Sequence, residues 1–481
     1  MANAILALDQ GTTSSKALLV DASGTVLASG SAPLGISFPA PGRVEQDADD
    51  LWDSVVRAAS EALVKRPDVV VVGVAVSNQR ESVVGWDAAG DAAGPVVSWQ
   101  DARGADAIDA LPADVRAAIR ARTGLEANPA YSASKFAWLQ RAHDPARMGT
   151  VDAWLVHRLT GGATFAIEAG NASRTQLLDL GSLAWDADLA AAFGVDLARL
   201  PEVHASAGDW GRTLGLPGVP DGTPILAVLG DSHAALFGHW ALAPDVPGAG
   251  KVTYGTGSST MIPTPDAASR VDGVSTTLAW LDGAPQYAYE GNILYAGAGL
   301  NWLAATLGLP DAAALGALAA TTPDPGTAVF VPALNGIGSP WWRPDAVGTL
   351  TGLTASTTRA QVARAGIDSV AHQVCDIVDA LDPGRAFPLL HAGGGATASE
   401  VLMQSQADLL GRTLLVSAVA DISPVGAAAL AWRALGVPLA PAAGLVPRLV
   451  HPSADADARR AAARESWRDA LVRAGVPRLQ T

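Results

Sequence analysis

The stretch ILALDQGTTSSKALLVD, residues 5–21, brings an acidic residue, a glycine and four consecutive hydroxyl residues together between two apolar runs. The first run ends at Asp9, and apolar residues resume at Ala17. Two strand-like runs joined by a short segment that contains glycine are typical of a β-hairpin. The stretch therefore predicts a β-hairpin with a tip rich in hydroxyl groups.

A second stretch of the same kind, VTYGTGSSTMIPT at residues 252–264, occurs just past the middle of the chain. A hairpin that recurs at half the chain length suggests two related domains with a cleft between them. The proline- and glycine-rich segment at residues 243–250 is the natural place for the boundary. We therefore expect a first domain at residues 1–243 and a second at residues 244–481.

Strand and helix patterns alternate along the chain. Apolar runs rich in β-branched residues lie at residues 69–77, 224–231 and 328–334. Segments between them, such as residues 49–66 and 359–381, carry apolar residues at helical spacing. This alternation predicts an α/β fold.

Charge and cysteine content limit the classes of partner and compartment. A net charge of −15 over 481 residues is unlike the basic surface of proteins that bind nucleic acid or anionic lipid. Cys375 is the single cysteine, which excludes an internal disulfide and fits a reducing compartment. No apolar stretch reaches the ~18–20 residues of a membrane span. We expect a cytoplasmic protein that binds neither nucleic acid nor membrane, with a homodimer and redox control through Cys375 left open.

Both hairpin tips have the chemistry of a phosphate site, because backbone N–H groups and hydroxyls surround an anion with donors. Asp9, at the end of the first strand, suits Mg²⁺, which binds one or two carboxylates together with phosphate oxygens and water. The tips therefore predict a magnesium–nucleotide site between them. The glycine-rich turn at residues 393–395, ahead of a predicted helix, is a weaker indication of the same function.

A third group of residues predicts a site for the phosphoryl acceptor. Asp231 ends a buried run, where α/β sheets bind ligands, and it could orient or deprotonate a hydroxyl or simply cap the next helix. Arg80 and Glu81 can donate and accept hydrogen bonds with a polyhydroxy compound, with a salt bridge as the alternative. Trp99 suits the apolar face of a sugar, with a place in the core as the alternative.

Nine motifs follow one another between residue 5 and about residue 436: DQGTTSSK, PGRVEQD, NQRES, NASRT, GDSHAALFG, TYGTGS, GIGSPWW, GTLTGLT and GGGATASEVLMQ. In order and approximate spacing they resemble the FGGY carbohydrate kinases, and most closely the glycerol kinase branch. The resemblance implies two actin-like (ribonuclease H-like) domains flanking a nucleotide and substrate cleft. It also implies ATP and Mg²⁺ as cofactors and a sugar or polyol hydroxyl as the acceptor of the γ-phosphoryl group.

Matching motif positions carry roles over to individual residues. Asp231 corresponds to the general base and, with Asp9, lies beside the metal. Arg80 and Glu81 correspond to the pair that holds the acceptor, and we add Trp99 and Ser232 to that site. The implied nucleotide contacts are Thr12, Thr13, Ser14, Lys16, Gly255, Thr256, Gly297, Asn301, Gly395 and Ser399.

The chain departs from the glycerol kinase pattern in its acceptor pocket. Ala130 occupies the position of a tyrosine that contacts the substrate, and Ser259 occupies that of an aromatic wall residue. Ser232 replaces the glutamine that usually follows the base. Two bulky groups are lost and polar ones gained, so we expect a roomier, more polar pocket and a substrate larger than glycerol.

The nucleotide region departs less. Asn301 and Ser399 are shorter than the usual glutamine and asparagine but remain polar. Lys16 replaces the common arginine, which keeps the charge and loses the bidentate fork. We therefore expect ATP to remain the nucleotide.

The favoured function is an ATP-dependent kinase for a small polyol or sugar, either a glycerol-like polyol or a ketopentose of the xylulose or ribulose type. The co-occurrence of Asp231 with Arg80 and Glu81 favours it, because a pure ATPase needs no acceptor site. A function of another class is an actin-like regulatory module that switches with its nucleotide and has lost its acceptor. ATP consumption with and without polyols and sugars separates the two.

Overall fold

The opening stretch folds as the predicted hairpin in the computed structural model, which describes residues 2–246 and 248–478. Strand β1 (Ala2–Gln10) pairs antiparallel with β2 (Ser14–Val20), and Asp9 lies opposite Lys16. The tip is shorter than the sequence suggested, because the second strand already includes two of the four hydroxyl residues. Ser15 is buried and its hydroxyl lies 2.6 Å from that of Ser54, so it belongs to the core.

The first half of the chain contains thirteen strands and eight helices within the described residues. The further strands are β3 (Val26–Pro33), β4 (Glu45–Gln46), β5 (Val69–Asn78), β6 (Val83–Trp86), β7 (Val96–Val97), β8 (Arg147–Thr150), β9 (Ala166–Glu168), β10 (Leu178–Asp179), β11 (Ala184–Trp185), β12 (Glu202–His204) and β13 (Ile225–Gly230). The helices are α1 (Ala48–Lys65), α2 (Ala105–Asp109), α3 (Ala113–Thr123), α4 (Ser132–His143), α5 (Val151–Leu159), α6 (Ala169–Ala172), α7 (Ala187–Phe193) and α8 (Asp231–Leu242). The main sheet has the strand order β13-β5-β1-β2-β3.

The second half forms a seven-stranded sheet in the order β16-β17-β15-β14-β20-β21-β22. Its strands, with the separate pair β18 and β19, are β14 (Gly250–Tyr254), β15 (Ser258–Thr264), β16 (Ser275–Asp282), β17 (Ala284–Ile293), β18 (Val329–Val331), β19 (Thr349–Thr351), β20 (Leu389–Gly393), β21 (Thr413–Val416) and β22 (Arg448–Val450). The helices are α9 (Gly297–Thr306), α10 (Ala312–Ala319), α11 (Arg359–Leu381), α12 (Glu400–Leu410), α13 (Ile422–Ala434) and α14 (Ala456–Arg473). Short 3₁₀ helices span Leu197–Arg199, Gly395–Ala398 and Ala443–Leu445.

The two main sheets repeat one topology. In the first, the hairpin β1–β2 is flanked by the parallel strand β5 and then by β13, with β3 on its other side. In the second, the hairpin β14–β15 is flanked by the parallel strand β20 and then by β21, with β17 on its other side. The two hairpins are therefore equivalent elements, as the sequence predicted.

Helices α8 and α13 pack together between the two sheets. Both carry glycine at the contact: a Cβ atom on Gly426 would lie 1.9 Å from the carbonyl oxygen of Ala234, and one on Gly238 would lie 3.0 Å from the Cα atom of Gly426. Although α13 comes late in the chain, it packs against β1, β5 and β13 of the first sheet. The boundary at residues 243–250 lies between α8 and β14, and the division into residues 1–243 and 244–481 remains a prediction.

Other elements agree with the sequence patterns. The predicted strands at residues 69–77 and 224–231 are β5 and β13, and the helical spacing at residues 359–381 corresponds to α11. The run at residues 328–334 forms only the short strand β18. In the part of the chain that the structure describes, no helix combines the length and apolar character needed to cross a bilayer.

Candidate active site

A cavity of about 890 Å³ opens between the two halves of the molecule. The first half contributes the hairpin tip, the residues after β5 and the start of α8, while the second contributes loops near residues 273–275 and 335–344. The wall of the cavity includes Thr12, Arg80, Glu81, Trp99, Ala130, Tyr131, Arg174 and Asp231. The cavity therefore joins the predicted acceptor residues to the edge of the first phosphate hairpin.

Arg80 and Glu81 lie just beyond the end of β5 and are both buried. Glu81 adopts a φ of 65°, a left-handed conformation that is uncommon outside glycine and concentrates at functional sites. The guanidinium of Arg80 donates to both carboxylate oxygens of Glu290, at 2.8 and 2.7 Å. Arg174 donates through Nε to Glu81 Oε1 at 2.7 Å. Arg80 and Glu81 are therefore buried and do not form an ion pair with each other. Each has a partner that the sequence did not indicate: Glu290 for Arg80 and Arg174 for Glu81.

Asp231 is the first residue of α8 and not its cap, because the preceding residue, Gly230, occupies the cap position. Its Oδ1 atom lies 3.2 Å from Arg80 Nε and accepts a 2.6 Å hydrogen bond from the backbone of Ser232. Desolvation in the cleft raises the pKa of Asp231; Arg80 opposes this shift, and Glu81 adds to it. A carboxylate with a raised pKa is a better proton acceptor for a hydroxyl than an ordinary one.

Trp99 and Ala130 lie on the cavity wall, as the sequence predicted. Trp99 is 40% exposed, and its indole N–H donates to Thr12 Oγ1 at 3.0 Å, so it is not a core residue. Ser232 and Ser259 are not among the residues of the wall. Ser259 instead donates a 3.0 Å hydrogen bond to Glu290 Oε1, and the acceptor role of Ser232 remains a prediction.

The second hairpin tip is the centre of the nucleotide region. The backbone N–H of Gly297, at the start of α9, donates to Gly255 at 3.0 Å, and that of Ala298 donates to Thr256 at 2.9 Å. The triple-glycine turn meets the same hairpin, because Gly394 has a φ of 94° and a Cβ there would lie 2.4 Å from the carbonyl oxygen of Tyr254. The structure therefore brings together the three segments that carry Gly255, Thr256, Gly297 and Gly395.

The side chains of Asn301 and Ser399 have partners within the protein. Asn301 Oδ1 accepts a 2.9 Å hydrogen bond from the backbone of Ala312 at the start of α10. Ser399 caps α12. A Cβ atom on Gly316 of α10 would lie 3.5 Å from Ser399 Oγ, so α10 and α12 approach each other at this point. The assignment of Asn301 and Ser399 to the nucleotide remains a prediction.

Lys16 and Asp9 share their surroundings with a carboxylate that sequence reasoning missed. Lys16 forms an ion pair with Asp421, the residue that precedes α13, and both side chains are partly exposed. Burial raises the pKa of Asp9 to about 7; the nearby hydroxyl of Ser77 and the charge of Lys16 lower it, while the charges of Asp231 and Asp421 raise it. The pKa of Asp9 on the first hairpin therefore depends on charged side chains at the start of α8 and just before α13.

Two hairpins suited to phosphate, next to a cavity lined by Arg80, Glu81 and Asp231, are the arrangement expected of a two-domain α/β phosphotransferase. Comparisons with known proteins agree. The N-terminal domain of the FGGY family of carbohydrate kinases matches residues 4–238, and the C-terminal domain of that family matches residues 250–435. The chain belongs to the FGGY family of carbohydrate kinases.

Individual relatives give the same result. The chain is 42% identical to an apulose kinase of Pectobacterium atrosepticum and 41% identical to a glycerol kinase of Alkalilimnicola ehrlichii, each over 90% of both chains. Its fold matches the structure of Plasmodium falciparum glycerol kinase with ADP, with a TM-score of 0.90 over 99% of both chains at 26% identity. The predicted fold class of two actin-like, ribonuclease H-like domains is confirmed, and the protein is an ATP-dependent phosphotransferase with an alcohol group as acceptor.

The ion pair between Lys16 and Asp421 gives a test of the nucleotide site. Replacing Asp421 by Asn removes the anion that competes with phosphate for Lys16, so we expect the KM for ATP to fall. Exposed pairs contribute about 0.2–1 kcal/mol, which corresponds to a change of about 1.4-fold to fivefold. Steady-state kinetics at saturating acceptor measures it.

Asp455→Asn is the matched control, because Asp455 pairs with Arg459 at the start of α14. We expect it to leave the KM for ATP unchanged. A higher KM for ATP in Asp421→Asn would contradict the competition and show that Asp421 supports nucleotide binding.

Proposed function

We propose that this kinase transfers the γ-phosphoryl group of ATP to a hydroxyl of a small polyol or ketose with a carbon chain longer than that of glycerol. The observation that carries the proposal is the position of Asp231. Its carboxylate faces the cavity, in contact with the buried residue Arg80 and close to the first phosphate hairpin. A hydroxyl bound there has a proton acceptor on one side and the phosphate region on the other.

The acceptor class follows from the cavity wall. Ala130 lines the cavity where the glycerol kinase branch carries tyrosine, which leaves space for additional carbons. Asn128, Asn292 and Asn335 also face the cavity and can bind further hydroxyls or a carbonyl group. The names of the similar proteins, an apulose kinase and a glycerol kinase, support the same two classes, and we favour the ketose over the simple polyol.

In the proposed reaction, Arg80 and Glu81 orient the hydroxyls of the acceptor, and Trp99 packs against its apolar face. Asp231 accepts the proton of the attacking hydroxyl while the γ-phosphoryl group moves onto that oxygen and ADP leaves. The raised pKa of Asp231 suits this step, since a base is most effective when its pKa approaches the working pH. Because phosphoryl transfer depends mainly on positioning and charge stabilisation, a fixed acceptor is as important as the base.

The site also fits a magnesium ion. Burial is the main cause that raises the pKa of Asp9, the charge of Asp231 raises it further, and a cation bound beside these carboxylates would relieve that repulsion. Mg²⁺ needs only one or two carboxylates beside phosphate and water. In keeping with this, the described residues contain no group of three or more His, Cys, Asp or Glu side chains suited to a metal. When bound, Mg²⁺ neutralises charge on the phosphate oxygens of ATP.

An acceptor panel tests the proposal against the regulatory alternative. ADP formation is measured with ATP alone and after addition of glycerol, erythritol, xylulose or ribulose. We expect at least one acceptor with four or five carbons to give a higher kcat/KM than glycerol. If no polyol or sugar raises ADP formation above the rate with ATP alone, the nucleotide-switched module becomes the better account.

Enlarging residue 130 tests the proposed acceptor size. Ala130→Tyr fills part of the cavity, so we expect kcat/KM for the four- and five-carbon acceptors to fall about 10- to 100-fold relative to that for glycerol. Ala113→Tyr, at the exposed first residue of α3, is the control and leaves the ranking unchanged. An unaltered ranking in Ala130→Tyr would show that this part of the wall does not contact the acceptor.

The base is tested by Asp231→Asn. The substitution keeps the size of the side chain and removes the proton acceptor, so we expect turnover to fall by about 10²–10⁴-fold. Binding of ATP, measured by the shift in thermal unfolding, should change little. Turnover close to that of the unmodified enzyme would assign the base to another residue.

A further inference from the structure

Four buried side chains beside the cavity form a ring in which three ion pairs are connected in series and chain adjacency of the two end residues closes it: Arg80, Glu290, Arg174 and Glu81. Arg80 donates two hydrogen bonds to Glu290, at 2.8 and 2.7 Å, and Arg174 Nη1 lies 3.1 Å from the same carboxylate. Arg174 Nε donates to Glu81 at 2.7 Å, and Glu81 follows Arg80 in the chain. All four residues are at most 9% exposed.

The ring crosses the cleft between the two halves of the molecule. Arg80, Glu81 and Arg174 belong to the first half, whereas Glu290 lies in β17 of the second sheet. The backbone of Glu290 is held on both sides, opposite Met261 in β15 and Ser275 in β16. Its carboxylate therefore has a fixed position to which the first half is attached.

The negative charge of Glu290 compensates the positive charges of two buried guanidinium groups, those of Arg80 and Arg174. Burial alone would raise the pKa of Glu290, but Arg80 and Arg174 together hold it well below its usual range, so the carboxylate is ionised. Without that charge, two guanidinium groups remain buried with a single carboxylate, Glu81, in the ring. Removal of one partner from a buried ion pair is strongly unfavourable and displaces the group left behind.

The orientation of Arg80 links this ring to the reaction. Glu290 binds the two Nη atoms of the guanidinium, which turns Nε toward Asp231 at 3.2 Å. Because the guanidinium is rigid and planar, a rotation that changes one contact changes the other. Arg174 contacts both Glu290 and Glu81, so the position of Glu290 also affects the position of the Glu81 carboxylate.

We propose that Glu290 is a positioning residue for the phosphoryl acceptor, which fixes Arg80 directly and Glu81 through Arg174. The inference rests on the proposed role of Arg80 and Glu81 in acceptor binding. Glu290 itself does not line the cavity, so it acts through its neighbours. It also means that the second half of the molecule determines the geometry of two acceptor contacts, Arg80 and Glu81, that come from the first.

Glu290→Gln is the main test, because it keeps the shape of the side chain and removes the charge. We expect kcat/KM for the acceptor to fall about 100-fold, mostly through a higher KM, since a displacement of about 1 Å has effects of that size. The KM for ATP, and the acceptor-independent ADP formation, should change by less than about twofold on the same reasoning, because Glu290 meets the second hairpin at Ser259 in β15 and not at the tip residues Gly255 and Thr256.

Asp382→Asn is the matched control for stability. Asp382 is also a buried carboxylate of the second half, and it forms an ion pair with the buried residue Arg412 away from the cavity. We expect both variants to unfold at a lower temperature and only Glu290→Gln to change acceptor kinetics. An equal loss of acceptor kcat/KM in both variants would show a merely structural role and overturn the proposal.

Arg80→Lys separates this inference from the proposed function. If Arg80→Lys retains the kcat/KM for the acceptor, the assignment of the acceptor site is wrong. If Arg80→Lys loses it but Glu290→Gln retains it, the acceptor site stands and the positioning role is overturned.

Ser259→Ala provides the test if Glu290→Gln does not fold. It removes the 3.0 Å hydrogen bond from the serine hydroxyl to Glu290 Oε1, together with the longer, 3.4 Å hydrogen bond that Lys251 Nζ donates to the same hydroxyl. We expect the KM for the acceptor to rise about threefold to tenfold, which is the size of effect that the loss of one ordinary hydrogen bond has. An unchanged KM for the acceptor in a stable Ser259→Ala variant would overturn the proposal.

Discussion

The guanidinium of Arg80 connects the second half of this kinase to the proposed base, Asp231. On one side it is held by Glu290 of the second sheet, and on the other it lies 3.2 Å from Asp231 at the start of α8. Its burial makes both contacts stronger than they would be in water, because little solvent screens the charges. The acceptor site depends on this interaction, since the same group faces the cavity and orients the proposed base.

The two sheets that flank this interaction are built on the same plan. Each sheet has a hairpin next to two parallel strands, and the loops at the ends of these strands converge on the cleft. Helices α8 and α13 fill the space between the sheets, and their glycines allow the two backbones to approach closely. As a result, Asp231 at the start of α8 and Asp421 ahead of α13 lie within electrostatic reach of Asp9 on the first hairpin.

Much of the fold, and the location of the main candidate residues at the cleft, could be predicted from the sequence. The hydroxyl- and glycine-rich tips marked both hairpins, and Asp231 was proposed because it follows a buried strand. Glu290 could not be found in this way, because it lies 210 residues from Arg80 in the chain and looks like an ordinary residue of an alternating strand. Arg174 lay within the quoted motif NASRT, which indicated the family without indicating a role. Asp421 lay in a segment where no element was predicted from the sequence, and nothing in the sequence indicated its pairing with Lys16.

The substitutions in the acceptor pocket also show which features the sequence alone could not predict. The sequence correctly placed Ala130 on the cavity wall, but Ser259 contacts Glu290 and does not line the cavity. Its hydroxyl therefore adds to the support of Arg80 and does not simply enlarge the pocket. Such a distinction depends on which way a side chain points across the sheet, and the pattern of residues alone does not determine it.

The fate of the terminal phosphate of ATP tests the central claim most directly. After incubation of the enzyme with ATP and the most effective acceptor, phosphorus NMR distinguishes a phosphate ester from inorganic phosphate. The account predicts that the ester accumulates in step with ADP, and that inorganic phosphate remains at the level seen without enzyme. Formation of ADP together with inorganic phosphate, and of no ester, would contradict it.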